Sequence, residues 1–245
     1  RHCQIAEIAA IISMCGGVSI SEKESYSLKI QTENVYVARK YFTLLKKAFN
    51  IEIEVSIRQS TFSKGNRTYT VAVLNHEDAI RILKAARLFN RDMEIEEQFS
   101  ISDNLVIQKT CCRRAFIRGA FLTAGSISDP QKFYHFEIVC ATIHKAVQLQ
   151  EIMNSFGVDA KIVQRKKHFV VYLKEGSQIV DILNVMGAHV SLMELENVRI
   201  LKEMRNSVNR KVNCETANIH KTVSAAVRQI EDIRYIQQKI GFEQL

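Results

Sequence analysis

The stretch that decides the fold runs from Cys111 to Pro130 and has the sequence CCRRAFIRGAFLTAGSISDP. Apolar or small residues recur at every fourth position in its middle, at Phe116, Ala120 and Ala124, as they do along one face of a helix. The helix is predicted to end at Gly125, where we expect a C-cap with positive φ. The small residues in this helix would allow a second helix to approach its backbone closely.

The same plan occurs near the start of the chain. Ile8–Gly17 has the sequence IAAIISMCGG, which is again an apolar run with small residues that ends at glycine and precedes a strand-like segment. Further positions correspond in order along the two halves: Gly16 with Gly125, Tyr26 with Tyr134, Phe49 with Phe156, Tyr69 with Phe169, and Leu83 with Leu183. The sequence therefore predicts an α+β fold in which an αββαββα unit is duplicated.

Alternation and helical periodicity supply the remaining elements of each half. In the first half we predict strands Val18–Glu22 and Tyr26–Gln31, helix Val35–Phe49, a half-buried strand Ile51–Ile57, a return strand Tyr69–Val73 and helix Ala79–Phe89. In the second half we predict strand Tyr134–Cys140, helix Ile143–Phe156, strands Val158–Val163 and Phe169–Leu173, and helix Ile179–Met186. The predicted domains are residues 1–90, a connector at 91–109, residues 110–190, and a helical linker at 191–245.

Composition indicates a soluble cytoplasmic protein without a cofactor. Hydrophobic residues make up 47% and charged residues 24% of the 245 residues, and no apolar run is long enough to span a membrane. The six cysteines have no CxxC spacing and the seven histidines have no HExxH pattern, so we expect reduced thiols and no metal site. Glycine-rich nucleotide-binding motifs are also missing from the sequence.

Charge points to double-stranded DNA as a partner. The formal net charge is +8 and the isoelectric point is about 9.2. From Arg199 to Lys239 there are nine basic and four acidic residues, so this tail carries a net charge of +5. Such a basic excess permits binding to the phosphate backbone.

Candidate phosphate contacts lie at two predicted hairpin tips and on polar strand faces. The tips carry Lys64 and Arg67 in the first half and Arg165, Lys166 and Lys167 in the second, and the strand faces carry Lys29, Arg58 and Lys161. A basic tip is also an ordinary solvated loop in many proteins, so that alternative stays open. Glu52, Glu54 and Glu137 occupy polar strand positions as well and would repel phosphate.

An asparagine- and arginine-rich segment joins two predicted helices, Leu192–Met204 and Ala217–Ile240. Its candidate DNA contacts are Arg205, Asn209, Arg210, Lys211 and Asn213. These side-chain types bond phosphate oxygens and base edges. Helix capping is the alternative for the asparagines, above all for Asn213 and for Asn218.

The two glycine-terminated helices resemble the LAGLIDADG helix of homing endonucleases, with Ile117–Gly125 as the stronger match and Ile8–Gly16 as the second. The resemblance implies that the two helices pack on a pseudo-two-fold axis above sheets that form a saddle over the DNA major groove. It also implies a carboxylate just before each final glycine, where this chain has Cys15 and Ala124. A thiol and a methyl group do not hold Mg²⁺, so we expect no nuclease activity. Asp129 is expected to form a turn before Pro130.

Within that superfamily the chain resembles the WhiA family of bacterial DNA-binding proteins. The resemblance rests on Arg118–Leu122, Ser128–Pro130, Tyr134–Cys140 and Asn209–Asn218. It implies a non-enzymatic, nucleoid-associated transcriptional regulator in sporulation, cell division and chromosome segregation. It also implies a C-terminal helix-turn-helix module, which we expect to begin near Leu245 and so to be missing here. Two alternatives stay open: a scaffold that docks a sigma factor or a division protein, and an active nuclease with other carboxylates.

Overall fold

The fold follows from a computed structural model that describes residues 1–20, 26–59, 67–89 and 105–239. The first half contains α1 (His2–Cys15), β1 (Gly16–Ile20), β2 (Tyr26–Thr32), α2 (Val35–Phe49), β3 (Glu54–Gln59), β4 (Arg67–Val73) and α3 (His76–Ala85). The second half contains α4 (Thr110–Ala124), β5 (Gly125–Ile127), β6 (Phe136–Cys140), α5 (Ile143–Asn154), β7 (Lys161–Arg165), β8 (His168–Leu173) and α6 (Gly176–Met186). Helix α7 (His189–Lys239) follows.

Each half forms a four-stranded antiparallel sheet with the same strand order. The first sheet has the order β1-β2-β4-β3 and the second has the order β5-β6-β8-β7. The equivalent strands therefore occupy equivalent places, which confirms the predicted duplicated αββαββα fold. Predicted boundaries differ by a few residues; for example, β6 begins at Phe136 and not at Tyr134.

One face of each sheet packs against the helices and forms the core. On β2 the side chains of Leu28 and Ile30 are buried, whereas Lys29 between them is exposed on the second face. On β6 the side chains of Phe136 and Ile138 are buried in the same way. Alternation along the strands thus separates an apolar face under the helices from a face that carries the polar candidates.

Helices α1 and α4 pack on each other as the central pair, as the sequence predicts. The helices approach closely at Gly119, where an added Cβ atom would lie 2.7 Å from the carbonyl oxygen of Glu7 and 3.0 Å from Cβ of Ala10. Only a glycine fits at that distance without movement of one helix.

Neither glycine that ends a central helix has a positive φ, which we had expected at Gly125. Gly16 has φ −85° and Gly125 has φ −93°, so both are extended. The prediction was wrong about conformation, and the structure gives a steric reason for glycine instead. An added Cβ atom would lie 2.6 Å from the carbonyl oxygen of Ile12 at Gly16, and 2.6 Å from that of Phe121 at Gly125.

The prediction of a half-buried strand at Ile51–Ile57 is also wrong in part. Strand β3 begins at Glu54, and its residues are all exposed. Ile51 is buried, whereas Val55 is 52% and Ile57 is 60% exposed. Because β3 is the edge strand of its sheet, α2 covers it incompletely and leaves an apolar groove that Phe42, Val55 and Ile57 help to line.

The C-terminal segment is a single helix and not two helices with a linker. Helix α7 is continuous from His189 to Lys239. Residues 1–193 form one compact unit, and the described residues from 194 to 239 belong to a second. Although α7 is long, neither it nor any other described helix has a stretch apolar enough to cross a membrane.

Candidate nucleic-acid interface

The two positions at which the resemblance to homing endonucleases implies carboxylates lie at the ends of the central helices. Cys15 is the last residue of α1 and Ala124 is the last residue of α4. The Cys15 thiol donates to the carbonyl oxygen of Ile11 at 3.4 Å, and burial raises the pKa of this thiol to about 11. Cys15 is therefore a neutral thiol at pH 7, which is a poor ligand for a hard cation.

Inside the central helix pair lies a charged group that the sequence patterns did not reveal. The carboxylate of Glu7 is buried, and it accepts two hydrogen bonds from Arg118, from Nε at 3.1 Å and from Nη2 at 2.9 Å. Lys40 Nζ lies 3.4 Å from the same carboxylate. The hydrogen bonds to Glu7 raise the pKa of the Arg118 guanidinium, so Arg118 stays charged. The signal in the sequence was a single acidic residue within an apolar run.

The second face of the first sheet carries two of the predicted basic residues and one acidic residue. Lys29 pairs with Ala72 across the sheet, and Ala72 pairs in turn with Glu54, so these three side chains form one row. Arg58 lies two rows away opposite Thr68. Lys29 and Arg58 are both exposed, and Glu54 lowers the positive potential between them.

On the second sheet, the predicted basic residues have acidic partners. Arg165 Nη1 lies 2.7 Å from Glu137 Oε2, and Lys161 Nζ lies 2.7 Å from Asp159 Oδ2. Burial by itself raises the pKa of the Glu137 carboxyl, but hydrogen bonding to His135 and the charge of Arg165 lower it below the ordinary value. Glu137 is therefore an anion at neutral pH and offsets the charge that Arg165 would offer to phosphate.

The two hairpin tips differ in what the structure describes. Lys166 and Lys167 form the exposed turn between β7 and β8, and Lys166 has a left-handed φ of 55°. Arg67 is exposed at the start of β4. The predicted contact Lys64 lies outside the described residues, as does most of the connector predicted at 91–109.

The asparagine- and arginine-rich candidates all lie on α7, where they are exposed. The spacing of four residues places Arg205, Asn209 and Asn213 on one face of the helix. Arg210 and Lys211 are successive residues, so their side chains diverge by about 100°. Because the helix is continuous here, the alternative in which Asn213 or Asn218 caps a helix is wrong.

Asp129 forms the turn that the sequence predicts. Its side-chain Oδ1 accepts a hydrogen bond from the backbone N–H of Gln131 at 2.9 Å, and its carbonyl oxygen accepts from Lys132. This arrangement belongs to a turn before strand β6.

The sequence predicts no metal site, but that prediction considered only spacing within one segment. The side chains of His2, Cys3, Cys111 and Cys112 converge, and their four donor atoms lie within 4.8 Å of one another. Two dipeptides that are 109 residues apart contribute this group, so motif spacing within one segment could not reveal it.

Comparisons with known protein families cover most of the chain. Residues 1–89 match the WhiA N-terminal LAGLIDADG-like domain, residues 113–205 match the WhiA LAGLIDADG-like domain, and residues 208–245 match the WhiA C-terminal HTH domain. The third match corrects the expectation that the helix-turn-helix module begins near Leu245. In the described part of that segment, residues 208–239, the chain forms one continuous helix.

Similar proteins carry the name probable cell division protein WhiA. The protein from Lachnoclostridium phytofermentans is 56% identical over 245 residues, which are 100% of this chain and 78% of that protein. The protein from Alkaliphilus oremlandii is 47% identical over 98% of this chain and 76% of its own length.

Solved structures agree with the fold. The crystal structure of full-length WhiA from Thermatoga maritima superimposes with a TM-score of 0.68 at 21% identity, covering 100% of this chain and 76% of that one. Variants of the homing endonuclease I-DmoI superimpose with a TM-score of 0.53 at 14% identity, covering 76% of this chain and 96% of theirs. The family matches and the close relatives together show that this chain belongs to the WhiA family.

Proposed function

We propose that this chain is a DNA-binding transcriptional regulator without nuclease activity, which acts in cell division, sporulation and chromosome segregation. The observation that carries the proposal is the helix-turn-helix match at residues 208–245, in a segment with a basic excess. The relatives' name supports the link to cell division. On this proposal the protein works in the cytoplasm on the nucleoid.

We assign DNA contact chiefly to the basic residues of α7 and to the tip at Lys166 and Lys167. The sheet faces make a smaller contribution, because Glu54, Glu137 and Asp159 offset the nearby basic residues. The domain division proposed from the sequence keeps two LAGLIDADG-like halves, residues 1–90 and 110–190, as a scaffold, and we now assign residues 208–245 to the reader module.

The absence of catalysis rests on the chemistry at Cys15 and Ala124. Hydrolysis of a phosphodiester with Mg²⁺ needs carboxylate oxygens beside the attacking and leaving groups. A buried neutral thiol and a methyl group supply neither charge nor suitable donor atoms. On this proposal the chain has the fold of a LAGLIDADG endonuclease but lacks the carboxylates that hold the metal ions in such an enzyme.

A plasmid assay tests this part of the proposal. Supercoiled plasmid incubated with the full chain and Mg²⁺ or Mn²⁺ should stay intact, while a gel-shift assay on the same sample shows DNA binding. The Cys15→Asp, Ala124→Asp variant should also stay inactive, because two adjacent carboxylates repel and lack supporting hydrogen bonds. Metal-dependent nicking that scales with wild-type protein and survives repurification would contradict the proposal.

One observation favours a second candidate, an interaction scaffold for a sigma factor or a division protein. Val55 and Ile57 are exposed beside α2, and apolar grooves of this kind bind partner segments. A Val55→Ser, Ile57→Ser variant separates the candidates. If the chain acts only as a DNA-binding regulator, the variant should bind DNA as tightly as wild type. If the chain is an interaction scaffold, the variant should lose binding to its protein partner.

A further inference from the structure

The N-terminal ends of the two central helices bring four soft donor atoms together. His2 and Cys3 lie in the first turn of α1, and Cys111 and Cys112 lie in the first turn of α4. His2 Nδ1 lies 3.1 Å from Cys112 Sγ, 3.2 Å from Cys3 Sγ and 4.0 Å from Cys111 Sγ. From this cluster we propose that His2, Cys3, Cys111 and Cys112 form a structural zinc site that fastens α1 to α4.

The distances suit a tetrahedral ion. Zinc bonds to thiolate sulfur at about 2.3 Å and to imidazole nitrogen at about 2.0–2.1 Å, so ligand atoms in a tetrahedral site are separated by about 3.5–3.8 Å. The four donor atoms here are separated by at most 4.8 Å, and those measured from His2 span 3.1 to 4.0 Å. Shifts of about 1 Å or less would bring these atoms to coordination distance.

The chemistry of the donors selects the metal. Three thiols and one imidazole form the Cys₃His set found in closed structural zinc sites. Carboxylates are not part of this group, so Mg²⁺ and Ca²⁺ are disfavoured. Zinc binding would displace the protons of the three thiols, because the thiolate is the form that ligates the metal.

Within the described residues, neither helix has an acidic residue in its first turn. Neither Arg1 at the N-cap of α1 nor Lys109 at the N-cap of α4 makes a side-chain capping hydrogen bond. Metal-bound thiolates would occupy the place that a capping oxygen takes in other helices.

The proposed site is distinct from the cleavage-metal position of homing endonucleases. That position lies at Cys15 and Ala124, at the opposite end of the same two helices. Helix α1 has 14 residues, which at 1.5 Å per residue places the two ends about 20 Å apart. A zinc ion here would hold the central helix pair together without taking part in hydrolysis.

Metal titration of the reduced full chain tests the proposal. With a chromophoric chelator as competitor, we expect one zinc ion per chain, and Co²⁺ in its place should give the intense visible absorption of tetrahedral thiolate coordination. The Cys111→Ser, Cys112→Ser variant should bind zinc about 100-fold more weakly or not at all. The matched control is Cys214→Ser, which removes an exposed thiol on α7 and should bind like wild type.

Thermal unfolding provides a second readout if a variant folds poorly. Removal of zinc with a chelator should lower the melting temperature of wild type and of Cys214→Ser. The same treatment should leave the melting temperature of Cys111→Ser, a change at an exposed position, nearly unmoved. Reduced wild type that binds zinc no more tightly than the double variant would overturn the proposal. The proposal would also be overturned if two of the cluster cysteines form a disulfide and the protein does not bind zinc after that disulfide is reduced.

Discussion

Glu7 interrupts the apolar run of α1, and its partner lies on the other central helix. Periodicity marks Glu7 as an exception on a buried face but does not identify Arg118, because the two residues are 111 positions apart. The positions of Cys15 and Ala124 at the helix ends could be predicted from the sequence, because each residue directly precedes the glycine that ends its helix. Residues defined by local register were therefore predictable, whereas residues defined by contact between the halves were not.

The ion pair between Glu7 and Arg118 predicts unequal costs for removing its two partners. Arg118→Met leaves the carboxylate of Glu7, which is 3% exposed, with Lys40 as its remaining described cation, and should cost about 2–4 kcal/mol of unfolding free energy. Glu7→Gln should cost only about 1 kcal/mol, because the Arg118 side chain is 36% exposed and still donates to the carbonyl oxygen of Met186.

Urea unfolding at pH 7 measures both costs. Arg114→Met is the control on the same helix, since exposed Arg114 donates only to backbone carbonyl oxygens of α6 among the partners described, and we expect about 1 kcal/mol. Equal losses for the two ion-pair variants would show that desolvation of the carboxylate does not govern this contact.

Among the elements, helix α2 runs from Val35 to Phe49 as the sequence predicts, because its apolar periodicity and its Asn34 cap are local signals. Strand β3 was misjudged for a non-local reason. Alternation identifies the two faces of a strand but does not report whether a helix covers one of them, and this edge strand is poorly covered. Helix α7 was split in the prediction because asparagines are as compatible with turns as with an exposed helix.

At the contact between α1 and α4, Gly119→Ala should destabilise the protein by about 1–3 kcal/mol. The new methyl group would lie 2.7 Å from the carbonyl oxygen of Glu7, so one helix must move. The gain in helix propensity, about 1 kcal/mol for this exchange, offsets only part of that cost.

Gly176→Ala in α6 is the matched control, because the added Cβ atom would meet the ring of Tyr134 at an ordinary 3.6 Å. Its free energy of unfolding should be unchanged or slightly raised. Chemical denaturation of both variants gives the comparison, and a Gly119→Ala variant as stable as wild type would mean that the helices separate at little cost.

For the whole molecule, the duplication was predictable because two halves of one chain repeat the same order of local signals. The electrostatic potential of the sheets could not be predicted from the sequence. It depends on the pairing of Arg165 with Glu137 and of Lys161 with Asp159, which only folding brings together. The number of charges on each strand face can be counted from the sequence, but neighbouring charges of opposite sign determine how strongly each one attracts a ligand.

The dependence of DNA affinity on salt should therefore divide the basic residues by location. We expect the full chain to bind duplex DNA with an affinity that falls steeply with salt, since each neutralised phosphate contributes about 0.9 to the logarithmic slope. Arg210→Ala with Lys211→Ala should flatten the slope by up to about 2. Arg165→Ala, Lys166→Ala and Lys167→Ala together should also flatten it by up to about 2 and not 3, because Glu137 already pairs with Arg165.

The control, Lys46→Ala with Lys47→Ala, removes two exposed charges from α2 on the helix side and should leave the slope as it is. Titrations on two unrelated duplexes measure all four proteins, and slopes that do not change in either basic variant would remove DNA contact from these residues and favour the interaction scaffold.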